Sequence, residues 1–287
     1  MRIITCCSRS GSSFVCQLLH ELGANFGEPD KLVKPDEWNK KGYFENRAIN
    51  KINHELLFGS WSKPELWIDV MWPKDPLIRI RKLSTLAFAP LASRKKSILK
   101  RGSKRKEEIK KLAQELKGQV VKDPRFCYLM QPWAQTEEIE SVLFVLRNPW
   151  ESCRSMSKQT GLPLGLTFLG WKDSIVNFFE TEMNFPVKIV NYNSFFEEEN
   201  KIESMKVLFE FLNIDFDEEL ATSTLAKSID PKMRNYSGVD SPVVDALIEK
   251  LISAKTREEL TTAIHALDRV LLWGHYVIPL YHSNTDR

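Results

Sequence analysis

Short apolar segments alternate with longer segments of helical periodicity along most of the chain. Four of the apolar segments are predicted to be buried parallel strands: Met1–Cys7, Gly118–Lys122, Ser141–Arg147 and Val187–Tyr192. Each is rich in Ile, Val or Leu and is followed by turn residues and then by a helical segment. Because a helix connects each parallel strand to the next, the pattern predicts an α/β fold with a doubly wound parallel sheet flanked by helices.

The helical segments that follow these strands are amphipathic. Residues Ser12–Leu22 carry apolar side chains on one face and end at Gly23, which is typical of a helix terminus. Pro149 is predicted to open a helix after the third strand, because its fixed φ suits a first helical turn. Trp171–Met183 and Glu203–Leu212 are predicted to be two further helices.

The C-terminal part of the chain carries two more apolar stripes at helical spacing. The first stripe is Val243, Val244, Leu247, Ile248 and Leu251, and the second is Leu260, Ile264, Leu267, Val270 and Leu271. Left exposed, the two stripes would form an apolar patch that is unusual for a soluble monomer. The pattern therefore predicts a C-terminal helical appendage that packs against the rest of the same chain.

Composition and charge exclude several classes of protein. The chain has 287 residues, of which 43% are apolar, enough for one substantial core. Its net charge of +3 is not that of a nucleic-acid-binding polycation. Five cysteines without metal-ligand spacing indicate reduced thiols and a cytoplasmic protein. No signal segment is evident and no apolar run has the length of a membrane span, so no transmembrane segment is expected.

One stretch departs from this balanced charge. Residues 94–117 hold eleven Lys or Arg against three Glu, and their net charge of +8 exceeds the +3 of the whole chain. Two interpretations stay open: a solvated helix with a basic approach, or a surface that attracts an anionic substrate or membrane headgroups. Because no aromatic residues alternate with the basic ones, specific nucleic-acid binding is not expected.

The turn after the first strand, SRSGSS at residues 8–13, is suited to an oxyanion. Small residues at positions 10–13 let the backbone close around an anion at a helix N-terminus, and the serine hydroxyls add donors. Arg9 adds a permanent charge with a planar fork for phosphate or sulfate oxygens. No Walker lysine followed by Ser or Thr is present to hold magnesium. The turn predicts a P-loop-like sheet with an anion site, the alternative being an ordinary strand–helix turn.

Basic residues also follow two other predicted strands. Lys122 and Arg125 lie in the segment VVKDPRF, and Arg147 ends the third strand. Ser155 follows Arg147 by eight residues, about two turns into the next helix. Because the carboxyl ends of parallel strands meet at one edge of a sheet, these residues and Arg9 are expected to form a polyanion site.

Three motifs in this order, SRSGSSFVCQLL, KDPR and LRNPWESCRS, resemble the sulfotransferases that use 3′-phosphoadenosine 5′-phosphosulfate (PAPS). The resemblance implies that the first loop binds the 5′-phosphosulfate and that the arginine and serine of the last motif bind the 3′-phosphate. It implies no metal, and 3′-phosphoadenosine 5′-phosphate as the product. The donor-binding residues that it implies are Ser8, Arg9, Ser10, Gly11, Ser12, Ser13, Phe14, Arg147, Ser155 and Arg234.

Three residues are candidates for catalysis: Arg9, Lys122 and Glu45. Arg9 and Lys122 are the charges expected to surround the transferring sulfuryl group. The stretch KPDEWNKKGYFEN, residues 34–46, resembles a Gly-Tyr/Trp-x-Glu element of bacterial sulfotransferases. Glu45 is therefore the candidate general base for the acceptor hydroxyl, the alternative being a glutamate that only begins a helix.

Other residues could share or replace these roles. His20 and His54 are rival bases, although a histidine inside an amphipathic helix is more often a packed or surface residue. Asp123 directly follows Lys122 and could orient its neighbours.

A second resemblance covers the end of the chain. The segment SGVDSPVVDALIEKLISAKTREELTTAIHALDRVLLWGHYVIPLYH resembles the carboxyl-terminal portion of the periplasmic peptide-binding proteins of ABC importers. This divides the chain into a sulfotransferase-like nucleotide-binding domain, residues 1–235, and a C-terminal helical segment, residues 236–287, as in a gene fusion. Sulfotransferases usually close the nucleotide site with a C-terminal basic loop, for which Arg234 in KMRNYSG is the nearest substitute.

The sequence thus favours an enzyme that transfers a sulfuryl group from PAPS to a hydroxyl or amine. The alternatives are an atypical P-loop nucleotide kinase and a nucleotide-binding protein whose activity the C-terminal segment has impaired. The expected partners are the nucleotide donor and a small-molecule or glycan acceptor, which would be anionic if residues 94–117 steer it. The expected state is a monomer or a homodimer.

Overall fold

The computed structural model describes residues 1–35, 39, 42–59, 95–197, 199–228, 242–254 and 256–273. Arg234, predicted to bind the donor, lies outside these ranges. In chain order the strands and helices are β1 (Arg2–Cys6), α1 (Ser12–Glu21), α2 (Arg47–Phe58), α3 (Lys95–Lys104), α4 (Lys106–Glu115), β2 (Val120–Lys122), α5 (Phe126–Trp133), β3 (Ser141–Leu146), α6 (Pro149–Thr160), α7 (Leu164–Phe179), β4 (Val187–Asn191), α8 (Lys201–Phe211), α9 (Glu218–Ser228), α10 (Pro242–Ser253) and α11 (Arg257–Trp273). Short 3₁₀ helices cover Pro29–Lys31 and Tyr192–Phe196.

The described strands form one four-stranded parallel sheet in the order β2-β1-β3-β4. All of them lie within the four predicted segments, and β1 and β3 are almost wholly buried because helices cover both faces. The predicted fold class is confirmed: an α/β fold with a doubly wound parallel sheet, flanked by helices and followed by C-terminal helices.

Side chains alternate between the two faces of the sheet, and each face has its own helices. On one face Ile4, Leu143 and Val145 pack with α1, α8 and α9. On the other face Ile3, Val142 and Phe144 pack with helices α2 to α5, with α7 and with the C-terminal pair. The two-residue period of a strand thus produces a core on either side of the sheet.

Helix α7 differs most from its predicted bounds. The sequence predicts a helix over Trp171–Met183, but the structure has Leu164–Phe179, which begins directly after Pro163. Gly165 and Gly170 weaken the helical signal in this segment, and the apolar pattern alone therefore detects only its second half. Among the described residues, no helix is long and apolar enough to cross a membrane.

The C-terminal helices pack into the core of the same chain, as predicted. Helices α10 and α11 contact each other, and they also contact β4 and α7. Leu251 and Leu267 are each 1% exposed and belong to the same apolar cluster as Phe178 of α7. The prediction is wrong for Val243, which is 56% exposed because it lies in the first turn of α10. The division into two domains at residue 235 stays a prediction.

All five cysteines are free and buried, in agreement with the expected reduced thiols. Burial raises the pKa of Cys7 and Cys127 well above the usual value, and burial also raises the pKa of Cys153 to about 12. These thiols are therefore packing groups rather than reactive ones.

Candidate functional site

The carboxyl ends of β1, β2 and β3 lie side by side, and each is followed by one of the predicted basic residues. Arg9 lies in the turn after β1, Lys122 ends β2, and Arg147 follows β3. The strand order β2-β1-β3 places the turn after β1 between the other two. The three predicted motifs therefore meet at one edge of the sheet.

The turn after β1 leads into α1 with an uncapped N-terminus. Arg9 and Gly11 have positive φ angles of 66° and 83°, and the N–H of Ser10 donates to the carbonyl of Cys7 at 3.2 Å. Gly11 is the N-cap residue, and no side chain caps the helix. The first N–H groups of a helix have no partner within it and carry partial positive charge, so this end of α1 suits an oxyanion.

Gly11 is needed for space as well as for its backbone angle. A Cβ atom at this position would lie 2.1 Å from Cε2 of Tyr192, in the 3₁₀ helix after β4. The ring of Tyr192 also lies under the guanidinium of Arg147, with 4.7 Å between Cζ and the ring centroid. Burial raises the pKa of Tyr192 although Arg147 acts in the opposite direction, so its hydroxyl stays protonated near neutral pH. Tyr192 thus joins the turn to Arg147, a role that the sequence analysis missed.

The serines of the turn have different partners. Ser10 Oγ lies 3.3 Å from Oγ of Ser152 in α6, and Ser12 Oγ accepts from Sγ of Cys6 at 3.1 Å. Ser13 Oγ accepts from Nζ of Lys122 at 3.3 Å. Ser8 is exposed. These bonds fix the turn against β1, β2 and α6.

Phe14 contributes packing at this turn. Its side chain is 7% exposed and stacks on Phe196, with 5.2 Å between the ring centroids. Its N–H donates to the carbonyl of Gly11 at 3.0 Å. The structure therefore places the side chain of Phe14 in the core beneath the turn rather than at the edge of the sheet.

Helix α6 brings Ser155 close to the turn after β1. Nε of Arg9 donates to Ser155 Oγ at 3.2 Å, although 146 residues separate them in sequence. Nε of Arg147 donates to Glu151 Oε2 at 2.6 Å, one turn before Ser155. Asn148 caps α6 by accepting from the N–H of Trp150. The predicted pair Arg147 and Ser155 thus flanks the turn, and the sequence analysis missed Glu151 as the partner of Arg147.

Glu45 lies in the same cluster and is held by three side chains. Nζ of Lys122 donates to Oε1 at 2.8 Å, Nδ2 of Asn50 donates to Oε2 at 2.8 Å, and Arg125 lies 3.6 Å from Oε2. Glu45 is 9% exposed and Lys122 is 2% exposed. Burial lowers the pKa of Lys122, but Glu45 together with Cys6 and Cys16 raises it, and the net shift is upward, so Lys122 stays a cation. A chain of contacts therefore runs from Ser13 through Lys122 to Glu45.

Asp123 lies beside this chain of contacts and binds Arg125 and Asn53. Its carboxylate accepts from Nε and from a terminal nitrogen of Arg125 at 2.9 and 2.8 Å, and from Nδ2 of Asn53 at 3.0 Å. The indole of Trp133 donates to Oδ1 of Asn53 at 2.8 Å. Asp123 is therefore placed to orient Arg125, consistent with the role expected of it.

The sequence analysis missed the asparagines of α2. Asn46 caps the helix by accepting from the N–H of Ala48 at 2.9 Å, and Asn50 and Asn53 are buried on its apolar face. These three asparagines recur at spacings of four and three residues. Polar residues on a helix face that is otherwise apolar are a sequence signal from which these asparagines could have been predicted.

The rival histidines lie elsewhere. His20 is exposed near the end of α1, with its ring 5.5 Å from that of Phe44. His54 is fully buried in α2, with its ring 5.1 Å from that of Phe58. Within the described ranges, no group of three or more His, Cys, Asp or Glu residues could hold a metal ion.

Comparison with known proteins gives short matches. No protein-family model matches the chain. A segment of 50 residues, 17% of the chain, is 63% identical to the uncharacterized protein y4wM of Sinorhizobium fredii and covers 8% of it. A segment of 48 residues, 17% of the chain, is 52% identical to the putative binding protein BMEII0691 of Brucella melitensis and also covers 8% of it. A third match, 35% identical over 83 residues, is to the peptidoglycan-binding protein YepA of Agrobacterium fabrum; it covers 23% of this chain and 14% of that protein.

The chain thus spans less than a tenth of the length of the first two relatives. The matches to proteins described as binding proteins cover segments of 48 and 83 residues. Among solved structures, the sulfotransferase domain from the Synechococcus PCC 7002 olefin synthase aligns with 93% of this chain and 94% of its own, at 15% identity and a TM-score of 0.42.

Proposed function

We propose that this protein is a sulfotransferase that transfers a sulfuryl group from PAPS to the hydroxyl or amine of an acceptor. The observation that carries the proposal is the contact chain from Ser13 through Lys122 to Glu45. It joins an oxyanion-binding turn to a carboxylate that could take a proton.

The donor would lie along the carboxyl edge of the sheet. The open N-terminus of α1 and Arg9 would bind its phosphosulfate, because backbone N–H groups and a guanidinium are good donors to such oxygens. Arg147 and Ser155, on the α6 side of the turn, would bind the 3′-phosphate. Arg9 donates to Ser155, so the two proposed anion subsites would be adjacent.

The transfer would need one proton acceptor and cations that stabilise the leaving group. The acceptor oxygen or nitrogen attacks sulfur, the bond from sulfur to the bridging phosphate oxygen breaks, and 3′-phosphoadenosine 5′-phosphate leaves. The proton of the acceptor passes to Glu45, and Lys122 and Arg9 stabilise the negative charge that develops on the leaving oxygen. These cations act mainly in the transition state, where that charge is largest.

Lys122 would have to change partners during this reaction. In the structure its ammonium is shared between Ser13 and Glu45. A bound phosphosulfate beside Ser13 would offer it a second anion, and one oxygen of Glu45 would then become accessible to the acceptor. Asn50 and Arg125 would keep the carboxylate in place, so that the buried charge is never without a partner.

Transfer of labelled sulfur tests the proposal. The protein is incubated with sulfur-35-labelled PAPS and a panel of hydroxyl and amine compounds, with and without magnesium. We expect label in an acceptor and release of 3′-phosphoadenosine 5′-phosphate without any need for magnesium. Glu45→Gln should lower turnover by about 100-fold, within the usual range for loss of a general base. Glu203→Gln, a change of the same kind at an exposed position of α8, should leave turnover unchanged.

Two results would contradict the proposal or the role that it gives to Glu45. One is phosphoryl transfer from a nucleoside triphosphate that depends on magnesium, which would indicate the kinase alternative. The other is full sulfuryl transfer by Glu45→Gln, which would remove Glu45 from the chemistry. Binding of 3′-phosphoadenosine 5′-phosphate without transfer to any acceptor would favour a nucleotide-binding protein without activity.

A further inference from the structure

Helices α3 and α4 carry most of the basic residues of the stretch 94–117. Ile98 and Gly102 of α3 and Ile109 and Ala113 of α4 are buried against the core. Exposed lysines occupy other faces of the two helices. The lysine surface is defined as Lys96, Lys100, Lys104, Lys106 and Lys110.

Arg101 within α3 and Arg105 between α3 and α4 have structural roles. Arg101 donates from Nε to the carbonyl of Leu56 at 2.6 Å and from a terminal nitrogen to that of Leu57 at 2.7 Å, which caps the C-terminal end of α2. Arg105 forms an ion pair with Glu55. The members of the lysine surface form no ion pair with any residue that the structure describes. The lysines are thus the part of the basic stretch available to a partner.

The lysine surface lies away from the candidate site. Arg101 contacts the last turn of α2, whereas Glu45 precedes its first turn, a separation of about 15 Å along the helix axis. Helix α4 then leads to the start of β2, at the edge of the sheet opposite to Lys122. That distance exceeds the Debye length of about 10 Å at 0.1 M salt. Direct steering of an acceptor to Glu45 therefore does not explain these charges.

The arrangement of the lysines indicates what they would bind. Lys96, Lys100 and Lys104 follow one another at four-residue spacing on one face of α3, about 6 Å apart. A lysine is a hydrated point charge without the fork that arginine uses for a defined phosphate. No aromatic residue lies within α3 or α4 to stack on a base. A row of such charges fits a surface of many mobile anions better than one fixed anion.

We propose that the lysine surface docks the protein on a membrane that contains anionic lipid. Clusters of four to eight basic residues on a helix are characteristic of such binding, at about 1 kcal/mol for each lysine near the surface. The exposed faces of α3 and α4 carry no large apolar side chain, so binding would be electrostatic and reversible. This inference does not depend on the proposed sulfotransferase activity.

Co-sedimentation with vesicles tests the proposal. The full chain is mixed with vesicles of phosphatidylcholine alone or of phosphatidylcholine and phosphatidylglycerol, at low and at high salt. We expect binding only to the anionic vesicles, and its loss at high salt. The double variant Lys100→Gln and Lys104→Gln should lower the partition coefficient by about 30-fold, the equivalent of two surface lysines. The matched control is Lys206→Gln with Lys227→Gln, which makes the same charge change on exposed parts of α8 and α9.

The control variant should keep wild-type partitioning, and melting curves should show both variants folded. Equal loss of binding in the two double variants would overturn the proposal, because net charge rather than this surface would then explain the attraction. Absence of binding to anionic vesicles would also overturn it. Binding to a single-stranded oligonucleotide that the Lys100/Lys104 variant abolishes, without vesicle binding, would assign the surface to nucleic acid instead.

Discussion

Gly11 shows how a single residue shapes the candidate site. It needs a positive φ of 83°, which an L side chain adopts only with strain, and its missing Cβ leaves room for the ring of Tyr192. The ring of Tyr192 in turn lies against the guanidinium of Arg147. The backbone of the turn and the predicted 3′-phosphate contact are thereby coupled through one ring.

Replacement of Gly11 by alanine should damage both the turn and the subsite of Arg147. We expect a stability loss of about 1–2 kcal/mol from the strained φ and at least a tenfold loss of affinity for 3′-phosphoadenosine 5′-phosphate, because Tyr192 must move. Gly118→Ala is the matched control, since Gly118 has a φ of 76° but open space around its Cβ position. The control should lose similar stability and no affinity. Unchanged affinity in Gly11→Ala would contradict this coupling.

For the candidate site, the sequence predicted the position of single residues better than their partners. Arg9, Lys122 and Arg147 were predicted to lie at one edge of the sheet because the carboxyl ends of parallel strands meet there. Their partners Glu151, Asn50 and Tyr192 depend on packing between elements far apart in the chain. No local sequence pattern predicts such contacts, and they are seen only in the structure.

At the scale of elements, the C-terminal hairpin, formed by helices α10 and α11, is part of the main core. Helices α10 and α11 bury their apolar faces against α7 and β4, although the sequence of this segment resembles a different class of protein. The periodicity of apolar residues predicted the two helices and predicted that their apolar faces are buried. It could not predict which residues of each stripe would be covered, as the exposure of Val243 shows.

Truncation of one buried leucine tests this packing. Leu251→Ala should lower the free energy of unfolding by about 2–4 kcal/mol, because the side chain is 1% exposed and leaves a cavity. Val243→Ala in the same helix, at a residue 56% exposed, should change it by less than about 0.5 kcal/mol. Denaturant unfolding of both variants gives the comparison. Equal and small losses would show that the hairpin is not part of the cooperative core.

At the scale of the whole molecule, the core is built without disulfides or reactive thiols. All five cysteines are buried, and the upward shifts in the pKa of Cys7, Cys127 and Cys153 keep these thiols protonated at neutral pH. We expect no rapid reaction with a thiol reagent in the native protein at about pH 8, and reaction of all five after unfolding. Stoichiometric labelling of any thiol in the native state, followed by mass spectrometry, would contradict this account.

The central claim is that the carboxyl edge of the sheet holds a nucleotide with a 3′-phosphate. Calorimetric titration with 3′-phosphoadenosine 5′-phosphate and with adenosine 5′-phosphate, without magnesium, tests it most directly. We expect the first ligand to bind about 30-fold more tightly, the equivalent of about 2 kcal/mol for a charge-assisted contact. Arg147→Ala should abolish that difference, whereas Arg154→Ala, at an exposed position of the same segment, should preserve it. Equal affinity of the wild-type protein for the two ligands would contradict the claim.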